Sequence, residues 1–276
     1  MTDQTQLCGT PLNQLPSIWQ REAELRERLA GREVVLFLDY DGTLTPIVED
    51  HTEALLDDDM RASVARAAER CTVGVISGRD LGDLKRRVGL EEVYYAGSHG
   101  FDIAGPEGWG QSLQRGEEFL PELDRVEAEL RSGLDGITGH AIERKRFSIA
   151  VHYRQVPEAD RDQLEAALDR VLDGHPRLRK GHGKKVFQIQ PGIEWDKGHA
   201  VRWLLAQLDL DRQGVVPLYI GDDLTDEDAF RALRGRGIGI AIRDGSRPSA
   251  AQYSLADPDD VQRFLQRLVD LGQGRA

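Results

Sequence analysis

Four acidic side chains, one serine and one lysine stand where phosphorus chemistry could be done: Asp39 and Asp41, Ser77, Lys197, and Asp222 with Asp223. Carboxylates brought together repel strongly unless a cation joins them. Oxygen-only ligands call for a hard cation, and a site with few dedicated ligands plus a phosphate suits Mg²⁺. Such an ion neutralises phosphate oxygens and lets a carboxylate, here Asp39, attack an anion. A second carboxylate two residues on, Asp41, can protonate the leaving oxygen and then take a proton from the hydrolytic water. Ser77 offers a hydroxyl donor to the phosphoryl group, and Lys197 a positive charge for what negative charge remains. The reaction implied is hydrolysis of a phosphate monoester through a phospho-aspartate.

Each signal alone has an ordinary reading, since aspartate and Ser-Gly after a strand are common turn and cap residues. Their placement is what counts. Val34 to Leu38, Thr72 to Ile76 and Val215 to Ile220 are apolar runs of the kind covered on both faces of a parallel sheet. They end at Asp39-Tyr40-Asp41-Gly42-Thr43, at Ser77-Gly78-Arg79 and at Gly221-Asp222-Asp223. Ligands of open parallel sheets bind at those strand ends. Helices are predicted over Trp19 to Ala30, 59–70, 80–88, 197–208, Asp226 to Leu233 and 258–271, the last capped near Asp257, with further strands at Val93 to Ala96 and Ile238 to Ile242. Strands alternating with helices give an α/β fold. Between them the pattern changes. A glycine-rich loop after Gly105, a long helix near 113–134, strands at Ile137 to Glu143 and Phe147 to Tyr153, and a helix at 158–172 follow. A basic, glycine-rich stretch from Arg177 to Lys185 then leads into a strand at Val186 to Gln190. Residues 106–186 are thus read as an α+β insertion in a core made of 1–105 and 187–276.

With 39% hydrophobic and 30% charged residues the chain has the composition of a soluble globular protein, and no apolar run is long enough to span a bilayer. Met1 to Gln6 is polar, so no signal peptide is expected. Cys8 and Cys71 lack metal-like spacing and are expected to be free thiols in a reducing cytoplasm. The balance of 48 acidic to 36 basic residues, a net charge of −12, argues against nucleic acid as a partner.

The motifs resemble those of the haloacid dehalogenase superfamily of phosphatases, which implies a Rossmann-like parallel-sheet core with an inserted cap. The resemblance is carried by Leu38-Asp39-Tyr40-Asp41-Gly42-Thr43-Leu44, Ile76-Ser77-Gly78-Arg79, Asp196-Lys197-Gly198 and Gly221-Asp222-Asp223-Leu224-Thr225-Asp226-Glu227. It implies Asp39 as nucleophile, Asp41 as general acid and base, and Ser77 and Lys197 on the phosphoryl group. Mg²⁺ would bind the Asp39 side chain, the Asp41 main-chain oxygen and Asp222. Thr43, Gly78, Arg79, Asp223 and Asp226 would line the phosphate or stand behind the ligands.

Within that superfamily the chain is most similar to trehalose-6-phosphate phosphatases, through Asp39 to Ile47, Gly97-Ser98-His99-Gly100, Glu143-Arg144-Lys145, His152-Tyr153-Arg154, Gly183 to Phe187 and Trp195-Asp196-Lys197-Gly198. This implies Glu143, Lys145, Arg154, Lys184 and Gln188 as sugar contacts. It also implies a monomer acting on a small sugar phosphate, working beside a trehalose-6-phosphate synthase. Gln188 departs from the family's usual Glu and leaves room for another glycosyl phosphate, such as glucosylglycerol or sucrose phosphate. A phosphomutase and a sugar-phosphate sensor are the remaining alternatives.

Overall fold

The computed structural model describes residues 9–48, 53–183 and 185–271. They divide into two compact units, one built from the chain up to Leu113 and from Trp195 onward, the other from Gln114–Glu194.

The larger unit holds an eight-stranded sheet in the order Tyr253–Leu255, Ile238–Ile242, Val215–Gly221, Glu33–Leu38, Thr72–Ile76, Tyr94–Gly97, Asp102–Ala104 and Ser112–Gln114. The strands from Tyr253–Leu255 through Tyr94–Gly97 run parallel, and the direction reverses at Asp102–Ala104. The central runs are apolar at nearly every position because both faces are covered. Leu36, Leu38, Val73, Val75, Leu218, Ile220, Ile238 and Ile240 share one buried cluster with Leu84 and Val88, and with Val261, Phe264 and Leu265 from the helix Pro258–Leu271. Each such side chain contributes roughly 1.5–3 kcal/mol on burial. Pairing of Leu218 with Leu36 and Ile220 with Leu38 aligns the two central strands. Asp39 and Asp222 therefore leave neighbouring strands at nearly the same level.

The smaller unit is a four-stranded antiparallel sheet, Ala141–Lys145, Ser148–His152, Val186–Pro191 and Leu178–Gly183 in that order. Ile149, Val151, Phe187 and Ile189 point to one face and bury against Leu123, Val126 and Leu130 of the helix Leu120–Gly133 and Leu164 and Leu168 of the helix Arg161–Leu172. Alternation sends Glu143, Lys145, Ala150 and Gln188 to the other face.

The structure revises several boundaries. Val186–Pro191 pairs on both sides within the small sheet, so the smaller unit ends near Glu194 rather than at 186. Ser112–Gln114 is a strand of the large sheet, so the smaller unit begins after 113 rather than at 106. The helix expected from 113 starts at Leu120, because Gly116 takes a left-handed φ of 93° and Pro121 favours a first turn there. The basic stretch before Lys184 is itself a strand, Leu178–Gly183. Asp257 does cap the last helix, accepting from the Asp260 amide at 2.8 Å.

Candidate active site

Asp39 is buried at the end of Glu33–Leu38, its amide donating to the Ile220 carbonyl at 2.9 Å. Its Oδ1 accepts from Lys197 Nζ at 2.6 Å, and the same ammonium reaches Asp226 Oδ1 at 2.7 Å. Lys197 opens the helix Lys197–Gln207, whose cap Asp196 accepts from the His199 amide at 2.9 Å. That cap fixes where the lysine enters the site. Asp226 is saturated: Oδ1 takes Lys197 and the Tyr219 hydroxyl at 2.7 Å each, and Oδ2 takes the amides of Asp222 at 3.0 Å and Asp223 at 2.9 Å. A carboxylate has about four lone-pair sites, all used here. Asp226 therefore holds the lysine and the Asp222 turn in place and leaves outward coordination to its neighbours.

Asp39, Asp222 and Asp226 each offer an oxygen within 4.8 Å of the others. Ionised, three carboxylates and one ammonium sum to −3 + 1 = −2 in a buried place. Burial first, with the neighbouring acids, pushes Asp39 well above the usual carboxylate range even though Lys197 pulls it down. Burial and Asp226 likewise push Asp222 up to about 7. Burial opposes the charge on Lys197, but Asp226 and Asp39 outweigh it and raise the lysine. A divalent cation is the charge that would balance this set. Asp222 Oδ1 is buried with no hydrogen-bond partner, as an oxygen kept for a metal would be. At Gly42 a Cβ would sit 2.2 Å from Asp222 Oδ2, and φ there is +85°, so glycine keeps that space open. The donor set is all oxygen, which fits Mg²⁺.

Asp41 stands beside this group with a half-exposed side chain. Arg79 grips it with both ends of its fork, Nε to Oδ2 at 2.7 Å and Nη2 to Oδ1 at 2.6 Å. Ser77 is buried, its Oγ accepting from the Arg79 amide at 3.2 Å. A Cβ on Gly78 would meet the His99 ring at 2.7 Å, so a side chain there would have to displace that ring. Thr43 Oγ1 is buried without a partner, a donor available to an incoming oxygen. Asp223 faces solvent, its Oδ1 accepting from the Leu224 amide at 2.7 Å.

In the smaller unit Glu143 pairs with Ala150, which pairs with Gln188, so these three form one cross-strand row. Lys145 follows two places along, opposite Ser148. His152 Nε2 lies 2.9 Å from Glu143 Oε2. Arg154 is exposed in the turn beyond the strand. Lys184 lies outside the described residues.

The sequence profile of the trehalose-phosphatase family matches residues 37–259, from the strand before Asp39 to the last helix. The chain belongs to that family. Trehalose 6-phosphate phosphatase RA3 of Zea mays is 40% identical over 277 residues, covering 95% of this chain and 77% of its own. Trehalose-phosphate phosphatase B of Arabidopsis thaliana is 41% identical over 266 residues, with shares of 92% and 71%. The C-terminal domain of C. albicans trehalose-6-phosphate phosphatase superposes with a TM-score of 0.78 at 22% identity, over 93% of this chain and 98% of that one. The core is the Rossmann-like sheet of haloacid dehalogenase type that the motifs imply.

Sequence reasoning missed some supports of the candidate site in this member of the trehalose-phosphatase family. Tyr219 is one. Another is Arg247, which donates to the Asp222 carbonyl at 2.7 Å and to the fully buried Glu227. Tyr219 hides inside an apolar strand run, and Arg247 lies 20 residues from Glu227 with no local pattern to join them. Among the described residues no helix is long and apolar enough to cross a membrane.

Proposed function

We propose that this chain hydrolyses trehalose 6-phosphate to trehalose and inorganic phosphate, the last step of trehalose synthesis, with Asp39 as nucleophile. Membership of the trehalose-phosphatase family supports the substrate. The buried Asp39–Lys197–Asp226 group with its excess of negative charge carries the chemical reading.

An Asp39 oxygen bonds to phosphorus while the bond to the sugar oxygen breaks, and Asp41 gives that oxygen a proton. Asp41 then takes a proton from water, whose oxygen bonds to phosphorus as the bond to Asp39 breaks, releasing phosphate. Lys197 holds the nucleophile by its Oδ1 and offsets charge on the phosphoryl oxygens. Ser77 and Thr43 supply hydroxyl donors. Mg²⁺, held by the Asp39 and Asp222 carboxylates and the Asp41 main-chain oxygen, would neutralise phosphoryl charge. Glu143, Lys145, Arg154, Lys184 and Gln188 are proposed sugar contacts, the unit 114–194 acting as a specificity cap. A trehalose-6-phosphate synthase would supply the substrate.

The test is phosphate release, with and without Mg²⁺, from trehalose 6-phosphate beside glucose 6-phosphate, sucrose 6-phosphate and glucosylglycerol phosphate. Mg²⁺-dependent preference for trehalose 6-phosphate is expected. Preference for another sugar would keep the mechanism and refute the substrate. Release that persists without any divalent ion would refute the metal.

A further inference from the structure

Arg79 carries a buried charge, its side chain only 6% exposed, and a charge so placed needs partners on every side. One side is Asp41. On the other, Arg79 Nη1 reaches Asp83 Oδ2 at 3.1 Å. The same oxygen accepts from Arg87 Nε at 2.7 Å, and Arg87 Nη1 donates to the Ala54 carbonyl at 2.9 Å. That carbonyl also accepts from the Tyr40 hydroxyl at 2.9 Å. Tyr40 precedes Asp41, so the contacts close a ring: Tyr40, Ala54, Arg87, Asp83, Arg79, Asp41. The Arg79 guanidinium also lies 5.3 Å over the Tyr40 ring. Asp83 and Arg87 are one turn apart on the rigid helix Leu81–Val88, an i,i+4 ion pair.

The ring is graded in exposure. Arg79 and Arg87 are 6% and 12% exposed, Asp83 30%, and Asp41 43%. The anchored part is inside and the open end is the carboxylate that must meet a substrate. A two-pronged grip fixes the plane of that carboxylate, and each of its oxygens keeps a further lone pair.

We propose that Asp83 and Arg87 are positioning residues for the acid–base carboxylate of Asp41, acting through Arg79. This rests on the phosphatase mechanism given above. Without Asp83, Arg79 loses one of the contacts that set its position, and the Asp41 plane is held less firmly. Misplacement of about 1 Å costs up to about 100-fold in a step that depends on geometry.

The test compares kcat/KM of wild type and Asp83→Asn on trehalose 6-phosphate and on p-nitrophenyl phosphate, whose leaving group departs without a proton. Loss of about 10–100-fold on the sugar phosphate is expected, with p-nitrophenyl phosphate nearly unchanged. Equal losses on both would show general loosening, and no loss on either would show an idle ring; each overturns the proposal. Should Asp83→Asn fail to fold, Arg87→Gln is read the same way, with Arg87→Lys expected to restore part of the loss. Wild type inactive on trehalose 6-phosphate would instead overturn the substrate reading, and the comparison on whichever sugar phosphate it hydrolyses then decides the ring.

Discussion

The two units treat their polar residues differently. In the larger one, Asp39, Lys197 and Asp226 are buried and joined by contacts of 2.6–2.7 Å, and Asp226 has no lone pair to spare. In the smaller one, Glu143, Lys145 and Gln188 lie along one face of a sheet whose other face holds the core. A buried charge that loses its partner is costly, so the larger unit's residues are mutually dependent. Glu143, Lys145 and Gln188 are only partly buried and lie outside the smaller unit's core, so they can be exchanged at less structural cost. On the proposed assignment the chemistry is built where substitution is expensive and the sugar contacts, Gln188 among them, where it is cheap.

Substitutions should expose that difference. Asp41→Asn should lower turnover by about 10²–10⁴-fold if Asp41 is the acid–base group, with a loss of thermal stability smaller than that of Lys197→Met, because buried Arg79 loses a half-exposed carboxylate but keeps Asp83. Stopped-flow phosphate release beside a melting curve separates the two effects. Lys197→Met should cost about 10²–10³ in turnover. It should also cost about 3–5 kcal/mol in urea unfolding, since Asp39 and Asp226 are left buried without their cation. An unchanged unfolding midpoint would refute the mutual dependence. Gln188→Glu should shift KM for the sugar by about tenfold or less and leave kcat alone, as expected for a contact equal in ground and transition states. A fall in kcat would place Gln188 with the chemistry instead.

The smallest effect belongs to Cys71. Burial pushes its thiol up from 9.0 to about 12, so at pH 8 roughly a thousandfold less thiolate forms than on a free cysteine. In a Cys8→Ser background, native protein should react with a disulfide reagent only as it unfolds in urea.

Much of this was legible in the sequence. The apolar runs ending at Asp39, Ser77 and Asp222 announced parallel strands, and the mutual register of Glu33–Leu38 and Val215–Gly221 does bring Asp39 and Asp222 side by side. Leu178–Gly183 was not legible, since its glycines and charges give no alternation, and its strand state depends on pairing with Val186–Pro191. Tyr219 was hidden because an apolar run conceals which residue turns a hydroxyl inward to Asp226. Arg79, Asp83 and Arg87 do show a four-residue spacing, but the same spacing marks any solvated helix face, and only the closure onto Ala54 distinguishes it.

Covalent catalysis by Asp39 is the claim on which the rest depends. Mass spectrometry of an acid-quenched turnover mixture, with Asp39→Asn run beside wild type, tests it most directly. Phosphate on the Asp39 peptide of the wild type, with no adduct and no phosphate release from Asp39→Asn, is the expected result. An Asp39→Asn enzyme that still released phosphate, with no phosphorylated carboxylate in the wild type, would contradict the account.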